Sequence, residues 1–334
     1  MSRSTLFLPV CMFGVALAAA ALVGAAAPGS ARGDGLPVLG VDVGNTGVAT
    51  SDGARYVTMA TGGTTVVARV AEAGGRVLVW RAFPGTFTIP AVAYDGSAGG
   101  LSADGKTLAL IEPRQSFPRA QTQFLILGRG LAPRRLVTLE GDFSFDAISP
   151  NGAWLYLIHY TSPQDPTRYL VQGYDLHRWR LSAAPIVDPS QPGEKMRGNP
   201  LTRVTSADGR WAYTLYDGGG ATPFVHALDT VARSAHCIDL DALASNTDVS
   251  KLQLALVGGG KRLSIRGGPH GAVTVDLRTF RVTGPGGGVL HVLERARLLL
   301  VGLCGLLAAA VLVELARRRK RQTLSPILEP RSET

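Results

Sequence analysis

A short turn phrase recurs five times along this chain, with 47 to 57 residues between the glycines of successive copies. In four copies an Asp-Gly or Asn-Gly pair stands between two apolar runs, which is the pattern of a tight β-hairpin turn. A period near 50 residues is typical of repeat architectures, whose units bury their apolar surface against one another. The copies begin at Ser51, Ser102, Ser149, Ser206 and Gly258. This repeat constrains the fold more than any other feature.

Each turn phrase is followed by a second pair of apolar runs, so each unit is predicted to hold four short strands as two hairpins. The third unit shows this most clearly, with Phe143–Ile148 and Trp154–Ile158 around the turn, then Tyr169–Asp175 and Arg180–Val187. The corresponding second hairpins of the other units are Thr65–Val70 with Arg76–Trp80, Phe124–Leu127 with Leu136–Leu139, Phe224–Asp229 with Ala235–Leu240, and Ala272–Leu277 with Thr279–Thr283.

No long segment with helical periodicity lies between the two ends of the chain, so an α/β fold is not expected. Four-stranded units repeated at this period are typical of the blades of a β-propeller, which pack on their neighbours around a ring. The sequence therefore predicts an all-β fold, a β-propeller with five four-stranded blades, and six or seven blades are the alternatives. An extra strand at Leu36–Val43 is predicted to complete the last blade and close the ring.

The segments Ile148–Tyr156 and Val204–Tyr213 resemble the repeats of YVTN-type and other Trp-Asp-like β-propellers. Blades of those proteins carry Ser-Pro-Asp-Gly followed by an aromatic residue and an apolar run. The strand ends at residues 174–176 and 228–230 match the same repeats. The resemblance implies the fold and leaves the activity open. The first copy departs from it because a residue between Ser and Asp is missing, and the fifth because Gly259 replaces the Asp.

Both ends of the chain are predicted to lie outside the propeller. Residues 1–31 read as a secretory signal peptide, with Arg3, an uncharged Ala-rich stretch and small residues before Arg32. An uncleaved anchor is the alternative. Residues 298–316 are apolar, and as a helix they would rise about 28 Å, close to the hydrocarbon thickness of a bilayer. Five consecutive cations at 317–321 follow, and such a cluster stays in the cytoplasm.

These features predict a single-pass protein of a bacterial cell membrane. Its propeller, residues 32–294, would lie outside the cytoplasm, and its basic tail, residues 317–334, inside. The tail and the C-terminal helix are expected to contact membrane lipid. The bacterial source is inferred from 29 Arg against 5 Lys with abundant Ala and Gly.

The net charge of +9 does not indicate nucleic-acid binding. Residues 35–293 carry 24 Lys and Arg against 20 Asp and Glu, and no basic stripe with interleaved aromatic residues occurs. The six histidines form no metal-binding spacing, and no serine-hydrolase elbow is present. Cys237 is the single cysteine of the exported region, and a strand would point it away from His236. We therefore predict no disulfide, no metal and no other cofactor.

Three Gly-rich stretches resemble the phosphate and adenosine motifs of the actin-like kinases. They are Leu39–Gly47, Asp217–Thr222 and Val257–Gly260, and they occur in the order of those motifs. Such kinases need long crossover helices between the motifs, and helical periodicity is absent here. Hairpins also require Gly-rich turns. An actin-like kinase is therefore kept only as a remote alternative.

Alignment of the units on their turn glycines places Asp146 and Arg203 at one position, six residues before the glycine. First strands line the channel of a propeller, so the two side chains are expected to face each other from adjacent blades. They would form a structural ion pair or part of a ligand site. Seven residues after the glycine, Glu112, His159 and Tyr216 share one level, where they would line a common rim or flank solvated loops.

An insert at residues 194–200 precedes the fourth unit and contains Arg197, the sixth candidate for ligand binding. Its charges and its Gly and Pro suit a loop over the channel mouth. No residue is predicted to be catalytic. We favour a binding module that presents its face to an extracytoplasmic protein, peptide or glycan. The alternative is a hydrolase or lactonase-like propeller that uses Asp146, His159 and Glu112.

Overall fold

A computed structural model describes residues 47–193, 196–243, 247–269 and 271–284. These residues form five antiparallel sheets that follow one another along the chain, four with four strands and one with three. Within each sheet the strands lie in sequence order, and each is hydrogen-bonded to the next. No α-helix occurs in these ranges. We number the sheets as blades 1 to 5 of a β-propeller, in agreement with the all-β fold and five units predicted from the sequence.

The strands are short, and in each blade the first is the inner one. Blade 1 contains β1 Val48–Ala49, β2 Ala54–Thr61, β3 Thr64–Ala71 and β4 Val77–Pro84. Blade 2 contains β5 Leu108–Ile111, β6 Gln121–Leu127 and β7 Pro133–Glu140. Blade 3 contains β8 Phe143–Ile148, β9 Trp154–Tyr160, β10 Tyr169–Asp175 and β11 Arg180–Ile186. Blade 4 contains β12 Pro200–Thr205, β13 Trp211–Tyr216, β14 Phe224–Asp229 and β15 Ser234–Asp239. Blade 5 contains β16 Gln253–Val257, β17 Arg262–Arg266, β18 Val273–Asp276 and β19 Arg281–Thr283.

The recurring phrase forms the turn between the first two strands of a blade through local hydrogen bonds. In blade 3, the Ser149 hydroxyl accepts from the backbone N–H of Trp154 at 2.9 Å, and the Asn151 side chain accepts from the N–H of Ala153 at 3.1 Å. Gly152 follows with a φ of +64°, which disfavours any residue with a Cβ. Blades 2 and 4 repeat the pattern with Ser–Asp pairs. The spacing is therefore set by turn chemistry.

In blade 1, Thr50 takes the place of the turn serine. Its hydroxyl donates to Asp52 at 2.5 Å and accepts from the N–H of Ala54 at 3.2 Å. The sequence interpretation, which aligned Ser51 with the other serines and assigned a missing residue to this copy, was wrong. Threonine and serine offer the same hydroxyl, so the phrase in blade 1 has its full length.

Consecutive blades pack face to face through apolar side chains. Tyr56 and Val67 of blade 1 lie in one cluster with Leu108 and Leu110 of blade 2, and all four are buried. Equivalent clusters join blades 2 and 3, 3 and 4, and 4 and 5. Full burial of each such side chain stabilises the fold by about 1.5 to 3 kcal/mol, so these faces hold the blades together.

Blade 2 departs from the expected four strands because its inner strand is interrupted. Residues at the two ends pair with β5, through the bridges Leu101–Leu108 and Thr88–Ile111. The residues between them leave the sheet as a small hairpin, which we call the plug hairpin, Pro90–Gly99. Its two arms are joined by hydrogen bonds from Val92 N to Ser97 O at 2.8 Å and from Gly99 N to Pro90 O at 2.8 Å.

Several predicted features lie outside the described residues: the signal peptide, the strand Leu36–Val43, the apolar segment 298–316 and the basic tail. Blade 5 already has four strands from its own sequence. An extra strand is therefore not needed to complete it. Within the described ranges, no helix is long and apolar enough to cross a membrane.

Candidate functional site

Asp146 and Arg203 meet at the interface of blades 3 and 4, in the geometry expected from the alignment of the repeats. Asp146 is the extra residue of a β-bulge in β8, since Phe145 pairs with Leu157 and Ala147 with Tyr156. Such bulges re-aim a side chain. The Arg203 guanidinium donates to the Asp146 carboxylate Oδ1 and to its backbone oxygen. The bulge thus turns the carboxylate towards the neighbouring blade.

This ion pair is buried and has further partners. Asp146 is fully buried and Arg203 is 9% exposed. The Arg203 Nε donates to the Thr214 hydroxyl at 2.8 Å. Among the described residues, Asp146 Oδ2 has no hydrogen-bond partner. A buried charge of this kind depends on its counter-ion, so the pair is coupled to the packing of the two blades.

Aromatic side chains surround the pair on the blade 4 side. Burial raises the pKa of Tyr216 and lowers the pKa of His226 to about 4, so His226 is neutral at physiological pH. Neither ring nitrogen of His226 has a hydrogen-bond partner within the described part of the chain. The Tyr216 ring stacks on Phe224 with 5.2 Å between ring centroids. This side of the pair is a packed core.

The plug hairpin crosses the channel from blade 2 to blade 4. The backbone N–H groups of Tyr94 and Asp95 donate to the carbonyl oxygens of Pro200 and Leu201 at 3.0 and 3.1 Å. The Ser97 hydroxyl also donates to a backbone oxygen of β12. The hairpin therefore binds the inner edge of blade 4 and fills one part of the channel with backbone.

The sequence interpretation missed this hairpin, although a signal for it was present. Its tip is an Asp-Gly pair, Asp95-Gly96, between two apolar residues on one side and a serine on the other. The Asp95 carboxylate accepts from the backbone N–H of Ser97 at 2.9 Å, and Gly96 has a φ of +81°. It is a sixth copy of the turn chemistry outside the regular spacing.

A cavity of about 700 Å³ lies on the turn side of the plug hairpin. Asp146 and Arg203 are among its lining residues, and so are the glycines 99 and 100 of the hairpin arm. Turn residues of blades 1, 2 and 4 form its outer part. Apolar side chains, Tyr56, Val92 and Phe145 among them, complete the wall. The cavity is therefore shared by four blades.

The charged groups of this cavity balance one another. Three arginines and three aspartates line it: Arg69, Arg129, Arg203, Asp52, Asp104 and Asp146. Arg69 forms an ion pair with Asp52, and hydrogen bonds from Thr50 and Arg69 lower the pKa of Asp52. The Asp104 carboxylate accepts from the hydroxyl of Ser102 at 2.7 Å. The aspartates are thus ionised and already engaged.

Glu112, His159 and Tyr216 do not converge. The backbone of Glu112 bonds to Gln123 and Arg119, while its side chain is partly exposed. His159 stacks on Phe143 at a centroid distance of 4.2 Å and hydrogen-bonds Gln172 at 2.9 Å. Tyr216 is fully buried, so it is not part of a rim. None of the three is among the residues that line the cavity. Their common level in the alignment does not translate into one site.

Arg197 is exposed, and residues 194 and 195 of its insert lie outside the described ranges. The end of the insert is anchored beside it. Asn199 donates to the Asp217 carboxylate from its backbone N–H and from its side-chain amide, both at 2.8 Å. The Tyr94 hydroxyl lies 3.4 Å from the Asn199 side chain. The insert therefore meets the plug hairpin on the face opposite the cavity.

A second buried ion cluster, at the interface of blades 2 and 3, was also missed. Arg114 donates to Asp142 at 2.6 Å and to the Ser144 hydroxyl at 3.0 Å, and Arg119 Nε lies 3.3 Å from the same carboxylate. Arg114 also lies over the Tyr160 ring, 4.7 Å from its centroid. Asp142 precedes the third turn glycine by ten residues and was not on the aligned position. Its contacts are saturated, which indicates a structural role.

No protein-family model matches the chain, and no curated protein matches it. Solved structures do. A protein described as TolB from Agrobacterium tumefaciens is 15% identical over 71% of this chain and 78% of its own, with a TM-score of 0.39. The propeller domain of Cps50 (Swd1) from Myceliophteria thermophila is 12% identical over 72% and 69%, with a TM-score of 0.41. A protein described as a 6-phosphogluconolactonase from Bacteroides uniformis is 16% identical over 71% and 68%, with a TM-score of 0.40. These likenesses concern propeller proteins and carry no argument about activity.

The actin-like kinase alternative does not fit the described structure. Those kinases need crossover helices, and the described ranges contain no α-helix. The glycines 258–260 form the hairpin turn between β16 and β17, and Gly218–Gly220 is a single 3-10 turn after β13. Both Gly-rich stretches therefore serve as chain turns.

Proposed function

We propose that this protein is a membrane-tethered, extracytoplasmic binding module whose cavity receives a protein segment, peptide or glycan. The observation that carries the proposal is the cavity of about 700 Å³ shared by four blades. Ligand sites in proteins commonly measure about 300 to 1,000 Å³ and combine apolar walls with a few polar groups. The tether is supported by the sequence, through the apolar segment 298–316 and the cations that follow it.

The lining favours binding over catalysis. It contains no histidine and no cysteine among the described residues. The hydroxyls of Ser102 and Ser206 are held in their turns by bonds to backbone and carboxylate groups. A general base works best with a pKa near the operating pH, and the pKa of Asp52 is shifted the other way. No nucleophile–base pair is therefore available in the cavity.

The balanced charges of the lining bear on the class of ligand. Three arginines opposite three aspartates leave the cavity without net charge. A polyanion such as nucleic acid binds by neutralising phosphates with an excess of cations. A peptide or a glycan, which offers hydrogen bonds and apolar surface, fits such a wall better.

The test uses one variant that narrows the cavity mouth and one matched control. Ala207 is exposed and lines the cavity, whereas Ala183 is exposed on β11 and does not. Full-length Ala207→Trp and Ala183→Trp proteins are compared with the parent for capture of proteins and glycans from cell-envelope extract, with capture identified by mass spectrometry. We expect parent and Ala183→Trp to retain the same ligand and Ala207→Trp to lose at least about 90% of it, since tenfold weaker binding corresponds to about 1.4 kcal/mol.

Equal capture by all three proteins, or no specific capture by the parent, contradicts the proposal. Turnover of a lactone panel by the parent that is lost in Ala207→Trp would instead establish the hydrolase alternative.

A further inference from the structure

Blade 1 has one packed face and one bare face. Its packed face lies against blade 2. The described residues contain seven exposed large hydrophobic side chains, and four of them belong to blade 1: Met59, Val77, Leu78 and Trp80. Met59 is 66% exposed and Trp80 is 61% exposed. Concentration of such side chains on one blade marks a surface that is covered by something in the protein's working state.

Strand register shows that these side chains form one continuous surface. Val57 pairs with Ala68, which pairs with Trp80. Met59 pairs with Val66, which pairs with Ala82. Residues opposite one another in a sheet share a face, and so do residues two apart in a strand. We call the surface made by Val57, Met59, Val66, Ala68, Trp80 and Ala82 the bare face of blade 1.

Direct ring closure against blade 5 does not suit this bare face. Blade 5 packs its apolar side chains against blade 4. Its other face carries Arg262, Arg266 and Arg281, all exposed, together with serine and threonine side chains. Burying such cations against aliphatic and aromatic groups without partners costs several kcal/mol. The occupant of the bare face must therefore be apolar.

The chain itself reaches blade 1 from the side of the bare face. Gly47 is the first described residue, and a Cβ added to it would lie 2.8 Å from Val57 Cγ1, a member of the bare face. Gly47 has a φ of +82°. The strand that follows, β1, has two residues, whereas β8 and β12 have six each. The residues before Gly47 therefore start at the inner edge of this surface.

We infer that the segment Leu36–Val43 packs on the bare face of blade 1. Its residues Leu39, Val41 and Val43 alternate with Gly40 and Asp42, so that an extended conformation has one apolar side.

The distances allow this packing. Four residues separate Val43 from Gly47 and span at most about 14 Å. The strands β2 and β4 lie two strand spacings apart, about 10 Å. A segment tethered this closely has an effective concentration in the millimolar range, which favours it over a second copy of the chain. The proposal does not depend on the proposed function of the cavity.

The test is intramolecular cross-linking in the full-length protein, purified in detergent with its native cysteines replaced by serine. The pair Val41→Cys with Met59→Cys is oxidised and analysed by non-reducing electrophoresis and peptide mass spectrometry. The matched control pairs Val41→Cys with Leu136→Cys, because Leu136 is 50% exposed and lies on the outer strand of blade 2. We expect a disulfide within the monomer for the first pair and none for the control.

A second readout measures how well the surface is covered. Alone, Met59→Cys should react with a thiol reagent at least about tenfold more slowly than Leu136→Cys, because reaction requires local opening of the segment. Addition of Val41→Asp should restore fast reaction. A disulfide that joins two copies through position 59 would assign the surface to a dimer and overturn the inference. So would equal labelling rates in detergent, or protection of position 59 that arises only in lipid vesicles.

Discussion

The ion pair between blades 3 and 4 allows a quantitative prediction. In Arg203→Met, the fully buried Asp146 carboxylate loses its counter-ion and the donor to Oδ1, and its Oδ2 has no partner among the described residues. Orphaning a buried charge costs about 3 to 5 kcal/mol. With a urea m-value of about 3 kcal/mol/M for a domain of this size, the unfolding midpoint should fall by roughly 1 to 1.7 M.

Equilibrium unfolding in urea, followed by tryptophan fluorescence, measures this effect. Trp154 in β9 and Trp211 in β13 report on the two blades that share the pair. The charge-free double variant Asp146→Leu/Arg203→Met is the control. Apolar replacement of both partners is often nearly neutral, so we expect it to recover all but about 1 kcal/mol of the loss.

The reasoning fails if Arg203→Met lowers stability by less than about 1 kcal/mol, well under the cost of an uncompensated buried charge. It also fails if the double variant is as unstable as the sum of the single ones, since a coupled pair requires a non-additive cycle.

Three further predictions concern His226 and the turns. Between pH 7 and pH 5 the parent should lose about 2 kcal/mol that His226→Leu does not lose, because the unfolded chain binds a proton while burial holds the pKa of folded His226 near 4; urea melts at both pH values check this. Thr50→Ala should cost about 1 kcal/mol of unfolding free energy and Ser51→Ala close to none, since only Thr50 bonds the turn. An equal effect of the two would contradict that assignment. Gly53→Ala should cost about 1 kcal/mol for its positive φ, and Gly152→Ala about 2 kcal/mol more because its Cβ would collide with a threonine of blade 2, as compared by thermal unfolding.

The sequence predicted the turns and strands well because their determinants are local. A hydroxyl, a carboxylate and a positive-φ glycine within a few residues fix each turn, and these can be seen in one repeat. The same regularity placed Asp146 opposite Arg203, since equivalent positions of adjacent blades lie side by side. Thr50 escaped notice because a different residue type supplied the same hydroxyl.

Features that depend on contacts between distant parts of the chain were not predicted. The burial of Tyr216 depends on which way its strand faces within the stack of blades. The position of the plug hairpin depends on an edge of β12 that is remote in sequence. The alignment also grouped Glu112 and His159 with Tyr216, although equal offsets from a glycine do not ensure that side chains from different blades converge.

The plug hairpin also changes how the molecule is expected to unfold. In a propeller each blade touches only its two neighbours, so blades are lost stepwise, as in a linear array. The contact of Tyr94 with Asn199 spans 105 residues and ties blade 2 to blade 4 across blade 3. Blades 2, 3 and 4 should therefore open as one cooperative unit, with blades 1 and 5 as less stable flanks. Native-state hydrogen exchange would then show two levels of protection where a simple propeller shows a gradient.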